Sequence, residues 1–214
     1  MSVKTNKKNT AKNPYHHGRL KESLIEAAAS LGASEGVEAI TLRRVAAAAR
    51  VSPAAPYHHF ANKADLLAAV ADEGFRRMNR AMSRAVARVK ESSDAEQLRA
   101  IGLAYIRFAS RNPHYFRVMF RPELARAAQP ERNKEGHVAF TRLIEAVQRA
   151  RGEKGPPSES VFEYALYAWS LVHGLSSLWL DSALSLDPPF SSWGIRRMAD
   201  RITRISMPVM QQSE

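Results

Sequence analysis

Between Thr41 and Leu67 the chain reads TLRRVAAAARVSPAAPYHHFANKADLL, an order of residues that few folds accept. Thr41 suits a helix N-cap, because its hydroxyl can accept a bond from a free backbone N–H in the first turn. Val45, Ala46 and Ala49 then recur at helical spacing and make one apolar face. Arg50-Val51-Ser52 interrupts the run, Ser52 caps again, and Pro53 takes the first helical position, where a missing N–H costs nothing. A third cap, Asn62, precedes Asp65, whose carboxylate suits the positive end of a helix. The spacing predicts short helices over about 42–49 and 53–60, and a long one opening at Lys63. Two short helices across a tight turn form a helix-turn-helix, whose second helix enters the DNA major groove.

Two residues strain this unit. Arg50 stands where the chain leaves a helix, and a non-glycine residue at positive φ costs about 1 kcal/mol or more. The turn is therefore strained there, or Arg50 avoids the left-handed region. Pro56 deletes the first possible intrahelical bond of the next helix and crowds the Ser52 carbonyl. That helix is expected to be short and irregular at its start.

Upstream lies an amphipathic segment with Leu20, Leu24, Ala27, Ala28 and Leu31, followed by Gly36. Taken with Val45-Ala46, Val51-Ser52, Tyr57-His58-His59-Phe60, Asn62-Lys63 and Leu66-Leu67, residues 18–67 resemble the N-terminal domain of the TetR family of transcriptional regulators. The family usually has glycine where this chain has Arg50 and an aliphatic residue where it has Pro56. The resemblance implies phosphate or groove-edge contacts from Tyr57, His59 and Lys63. Arg43 matches a position that often meets DNA, and both it and Arg44 oppose the dipole at a helix N-terminus unless a phosphate arrives. A solvated surface pair is the alternative. Ser52, Pro53, Ala54 and Ala55 open the recognition helix; they are small, so base readout would rest on methyl contacts to thymine.

Charge agrees with a polyanionic partner. The chain has 214 residues and a formal net charge of +11, with 32 Lys and Arg against 21 Asp and Glu. Residues 1–63 hold ten cations and four Glu, and no acid precedes Glu22, so the excess sits on the helix-turn-helix. Residues 1–17 read as a flexible basic arm, in which Lys4, Lys7, Lys8 and Lys12, with Arg19 beyond it, add salt-sensitive phosphate attraction. No cysteine is present, which excludes disulfides and thiolate chemistry. His16-His17 and His58-His59 lack carboxylates at ligand spacing, and no metal or cofactor is expected. With no apolar run long enough to span a bilayer and no signal peptide, a cytoplasmic, nucleoid-associated protein is expected.

The rest of the chain reads as all-α. Helices are predicted over about 18–34, 63–90, 95–111, 135–151, 161–184 and 192–206, with a short one through Met119 and Phe120 and breaks at Asn112-Pro113, GEKGPPS and Asp187-Pro188-Pro189. The division expected is a basic arm at 1–17, a DNA-binding head at 18–66 and a helical effector-binding and dimerisation domain at 67–214. Arg76, Arg80, Arg84 and Arg88, every four residues, read as a solvated face.

Trp169-Ser170-Leu171-Val172-His173-Gly174, with His114-Tyr115-Phe116-Arg117-Val118-Met119-Phe120, resembles a TetR subgroup with a Trp-x-x-x-His-Gly signature. The resemblance implies a domain that dimerises and houses an effector pocket. Met78, Met82, Tyr105, Phe108, Phe116, Met119, Phe120, Trp169 and His173 are the candidate lining, suited to a hydrophobic or aromatic molecule. His173 beside Gly174 could instead be a satisfied polar group at a close helix crossing. Ile195, Met198, Ile202, Ile205 and Val209 form a seam for a partner helix, so the last two helices are expected to make a homodimer. The expectation is a homodimeric repressor, not an enzyme, released from operator DNA by a small effector. The alternative is a DNA-binding regulator or architectural protein without one.

Overall fold

The structure, a computed structural model, describes residues 15–121, 134–184 and 193–211, with side chains at 19–121, 134–184 and 193–208. Eight α-helices occur among them: α1 (Tyr15–Glu35), α2 (Leu42–Ala48), α3 (Lys63–Ala87), α4 (Asp94–Arg111), α5 (Pro113–Met119), α6 (Lys134–Ala150), α7 (Glu159–Leu180) and α8 (Ile195–Gln211). No strand is present among the described residues, and the fold is all-α. Residues 1–14 of the expected arm, the His16 and His17 side chains, the Asp187-Pro188-Pro189 break and the Val209 side chain lie outside the described residues, while residues 15–17, expected in the arm, already belong to α1.

Local chemistry sets the helix ends. Thr41 Oγ1 accepts from Arg44 N–H at 3.2 Å, and Asn62 Oδ1 accepts from Asp65 N–H at 2.9 Å. Ser93 and Ser158 cap α4 and α7 in the same way. Arg50 does take the left-handed conformation, at φ 56°. It closes α2 with a paired bond set: Val51 N–H donates to Ala46 O at 3.0 Å and Arg50 N–H to Ala47 O at 3.1 Å. Those two bonds satisfy carbonyls at the end of α2, and the Arg50 side chain carries the steric penalty of that dihedral.

The helix expected over 53–60 does not form. A single 3₁₀ turn, Ala55–His58, stands in its place. Pro56 has no N–H for the Ser52 carbonyl, so that carbonyl takes the Ala55 N–H at 3.0 Å and the chain closes at i+3. The proline ring itself is buried and anchors the turn.

One apolar cluster runs without a break from the head into the body. Leu24, Ala28, Ile40, Val45, Phe60, Leu66 and Val70 close the head, and Phe75, Met78, Tyr105, Tyr115, Phe116 and Met119 continue it. Each large side chain removed from water contributes about 1.5–3 kcal/mol. Helix α3 belongs to both halves. At Gly74 it passes α5 so closely that a Cβ there would lie 2.6 Å from Met119 Sδ. Two smaller clusters, Leu98 with Ala146, Val147, Val161 and Ala165, and Ile106 with Leu175, Met198 and Ala199, attach α6, α7 and α8 to α4.

The expected seam on the last helix is divided. Met198 is buried in the chain's own core, Ile195 and Ile202 pack beside it, and Ile205 is 71% exposed. The larger uncovered apolar row lies on α7, where Phe162, Leu166 and Leu178 are exposed at four- and twelve-residue steps, so that the row winds around the helix past Ser170 and Gly174. Among the described residues of one chain Gly174 meets no neighbour, since a Cβ there would find nothing within 4 Å. A close helix crossing at this glycine within the described part of the chain is thereby corrected.

Candidate nucleic-acid interface and buried cavity

The head presents its polar side chains unevenly. Arg43, in the first turn of α2, is exposed and makes no ion pair among the described residues. Arg44 differs: its Nη2 donates to both Glu35 carboxylate oxygens at 2.6 Å, and its Nη1 reaches Ala39 O at 3.4 Å. Of the pair that the sequence offered, Arg44 is tied to the end of α1 and Arg43 is left to solvent. Tyr57 is 60% exposed, Ser52, Pro53 and Ala54 are exposed, and Ala55 is half-buried. His59 is half-buried beside Phe60, at 6.3 Å between ring centroids.

Lys63, first residue of α3, donates from Nζ to the Glu38 carbonyl at 3.1 Å. An ammonium has three donors, so this bond places the cation at a helix N-terminus without consuming it. The Glu38 carboxylate takes an ion pair from Arg121, beyond α5.

A cavity of about 440 Å³ lies in the body between α3, α4, α6, α7 and α8. Of the nine residues offered by the sequence, Met78, Met82, Tyr105, Met119, Phe120 and Trp169 line it. Phe108, Phe116 and His173 do not. Phe108 sits in the main core, while Phe116 and His173 stack behind Phe120, His173 at 4.5 Å and Phe116 at 5.0 Å between centroids. Sequence reasoning missed Phe75, Phe140, Val172 and Leu143 among the apolar wall, and Asp72, Arg99, Thr203 and Ser206 among the polar one. Helical periodicity marks Phe75 and Leu143 as inward, but it cannot separate a residue facing a void from one facing a neighbour.

A hydrogen-bonded chain backs the wall. Trp169 Nε1 lies 3.4 Å from Tyr105 Oη, and that oxygen lies 2.9 Å from His173 Nδ1. The indole can only donate, so the phenol accepts from it, and all three groups are satisfied when the phenol gives its own proton to the imidazole. This order requires a neutral His173 with its hydrogen on Nε2. Burial lowers the His173 pKa and raises that of Tyr105, which keeps both groups uncharged. The four-residue spacing of Trp169 and His173 puts both on the face of α7 that meets Tyr105.

The polar lining is mixed in sign. Burial raises the Asp72 pKa, although Arg76 beside it pulls the other way. Arg99 is 10% exposed, pairs with Asp200 and, at 3.1 Å, with Glu96, and keeps a buried Nε without a partner. Thr203 and Ser206, also on the lining, donate to carbonyls of their own helix. Ala64 and Ala68 also line the cavity, one and five residues after Lys63 on the same helix. No metal-holding cluster occurs among the described residues, and no helix is long and apolar enough to cross a membrane.

Two family models match. Residues 24–70 match the bacterial regulatory proteins of the tetR family, and residues 98–202 match the tetracyclin repressor-like C-terminal domain. No curated protein matches. Among solved structures, one of a protein with unknown function from Rhodococcus sp. RHA1 shares 29% identity at a TM-score of 0.72, covering 93% of this chain and 97% of that one. A bacterial regulatory protein in the tetR family from Rhodococcus RHA1 shares 24% identity at 0.64, covering 92% and 99%. AibR in complex with isovaleryl coenzyme A and operator DNA shares 21% identity at 0.64, covering 88% and 98%.

Proposed function

The chain belongs to the tetR family of DNA-binding transcription regulators with a helix-turn-helix, and from that premise we propose that it is a homodimeric repressor released from its operator by a small ligand. The observation that carries this reading is the shared helix α3. Lys63 opens it at the head, and Ala64, Ala68, Phe75, Met78 and Met82, further along it, line the cavity. A ligand that fits one position of α3 better than another shifts the population of head positions. The mostly apolar wall with Arg99, Thr203 and Ser206 suits an amphipathic organic molecule. AibR, of the same fold, was solved with isovaleryl coenzyme A and operator DNA, which supports ligand and DNA binding on one such chain.

In this reading residues 18–66 form the head, residues 67–214 the effector-binding and dimerisation domain, and the basic arm at 1–17 adds phosphate attraction. Arg43, Tyr57 and Lys63 hold phosphates, with His59 beside them, while Ser52, Pro53, Ala54 and Ala55 meet the groove. The site of action is the cytoplasmic nucleoid. The pairing surface is the winding row of exposed side chains on α7, Phe162, Leu166 and Leu178, together with Ile205 of α8.

Selection of duplex sites by the purified protein tests the reading. Enrichment of a two-fold symmetric site, and its release by a compound that fits the cavity, are the expected results. A monomer in solution, or indifference to every duplex at low salt, would sink it. Leu166→Glu with Leu178→Glu is expected to yield monomers that keep their helix content.

A further inference from the structure

On the outer side of the α3–α6 seam, away from the cavity, lies a shallow depression of about 390 Å³ bordered by Arg76, Asn79, Arg80, Ser83, Arg84, Glu135 and Arg142. The cationic stripe along α3 reads in sequence as a solvated face, but its arginines are not equivalent. Arg76 is matched by Asp72, Glu73 and Glu135, and Arg77 by Glu73 and Glu26. Arg80 reaches Glu73 only at 3.3 Å, a carboxylate already shared with Arg76 and Arg77. Beyond that point the acids stop. Arg84, and Arg142 across the seam, have no carboxylate partner among the described residues.

Arg142 is nonetheless held in place, its Nη1 donating to Ser83 Oγ at 2.8 Å. Asn79, on the same border, is 4% exposed; its Nδ2 donates to the Glu135 carbonyl and carboxylate, while its Oδ1 is buried with no hydrogen-bond partner. The depression thus presents two guanidiniums without a carboxylate partner among the described residues, with the Glu135 carboxylate at its border held by Asn79 and Arg76. Guanidiniums converge best on an oxyanion that can take paired N–H bonds, and a phosphoryl group matches that fork.

We propose that this depression binds the phosphoryl group of a small molecule, held by Arg80, Arg84 and Arg142, at a place separate from both the cavity and the DNA-facing head. The occupant bridges α3 to α6, two of the helices that wall the cavity, so it stiffens that wall without entering it. The proposal does not depend on the repressor reading.

Inorganic pyrophosphate and ADP serve as probes for the full-length protein, with sodium chloride at matched ionic strength as reference, read by calorimetry and thermal melting. Both anions are expected to bind and to raise the melting temperature beyond chloride. A response to pyrophosphate equal to that of ADP supports recognition of the phosphoryl group alone, and a stronger one to ADP supports a site that also reads the organic part. Arg84→Gln with Arg142→Gln is expected to weaken binding at least about tenfold. Arg84→Gln alone, at an exposed position, serves if the double variant melts early. The head also attracts phosphates, so Arg43→Gln with Lys63→Gln is the control and is expected to keep the response. No gain over chloride, or a response lost in the head variant and kept in the depression variants, overturns the proposal.

Discussion

The Tyr105 hydroxyl lies 2.9 Å from His173 Nδ1, joining α4 to α7 at the back of the cavity wall. The same hydroxyl lies 3.4 Å from Trp169 Nε1. Tyr105→Phe keeps the ring and removes both bonds, leaving a half-buried acceptor and a half-buried donor without their partner. A loss of about 1–3 kcal/mol is expected, measured as the difference in denaturant midpoint at constant slope. An unchanged midpoint would show that this chain of bonds contributes nothing.

Acid is expected to weaken the same joint. Burial holds the His173 pKa below its usual 6.5, so the unfolded chain binds this proton more readily than the folded one. The contribution is complete above the unfolded value and is lost as pH falls from there through the lower folded value. Melting temperature should therefore drop as pH falls below the usual 6.5, and drop less in His173→Gln. An equal drop in both proteins assigns the effect to other groups, among them His114, whose pKa burial also lowers.

Gly74 faces Met119 where α3 crosses α5. A methyl group there would lie 2.6 Å from Sδ and 2.7 Å from Cγ, and 3.3 Å from Tyr115 Cβ. Gly74→Ala is expected to destabilise by about 1–3 kcal/mol, because Met119 can move but the Tyr115 Cβ sits on a packed helix. Combined with Met119→Ala, the loss should be smaller than the two single effects added, as chemical denaturation of all four proteins would reveal.

Arg50 gives the opposite sign. Its φ of 56° is easy for glycine, and its exposed side chain has no hydrogen-bond or ion-pair partner among the described residues. Arg50→Gly should stabilise the head by about 0.5–1 kcal/mol, the relief at positive φ being partly offset by greater freedom of the unfolded chain. A rise in melting temperature is the readout.

Arg43 and Arg44 are neighbours with different expected effects on DNA affinity. Arg43→Ala should weaken binding to every duplex and reduce the slope of log affinity against log salt by about 0.9, the value for one phosphate contact. Arg44→Ala should leave that slope nearly unchanged and lower stability by up to about 1 kcal/mol, since its half-exposed guanidinium is already held by Glu35. Equal slopes for the two variants would refute the distinction. Titration of fluorescent duplex at several salt concentrations supplies both numbers.

What could be read from the residues alone was whatever depends on neighbours along the chain. The caps Thr41 and Asn62 bond to N–H groups three residues on, and the stop at Asn112-Pro113 follows from steric exclusion at one peptide, whereas Ser52, also read as a cap, makes no such bond among the described residues. The all-α class, the helix-turn-helix and the basic head followed from such signals. Pro56 also warned of an irregular third helix, though the outcome, one 3₁₀ turn, went further than a single missing bond suggested.

Contacts distant in sequence needed the fold. Arg44 finds Glu35 nine residues away, and Tyr105 finds His173 at a separation of 68. Periodicity showed that Met198, Ile202 and Ile205 share a face, and packing against Ile106 and Leu175 left only part of that face open. Composition and spacing therefore determined the helices, their ends and the charge of the head, because short-range bonding sets those. Tertiary packing alone decided which arginine stays free, which apolar side chains border a void and which helix face remains uncovered, since each depends on what the rest of the chain brings alongside.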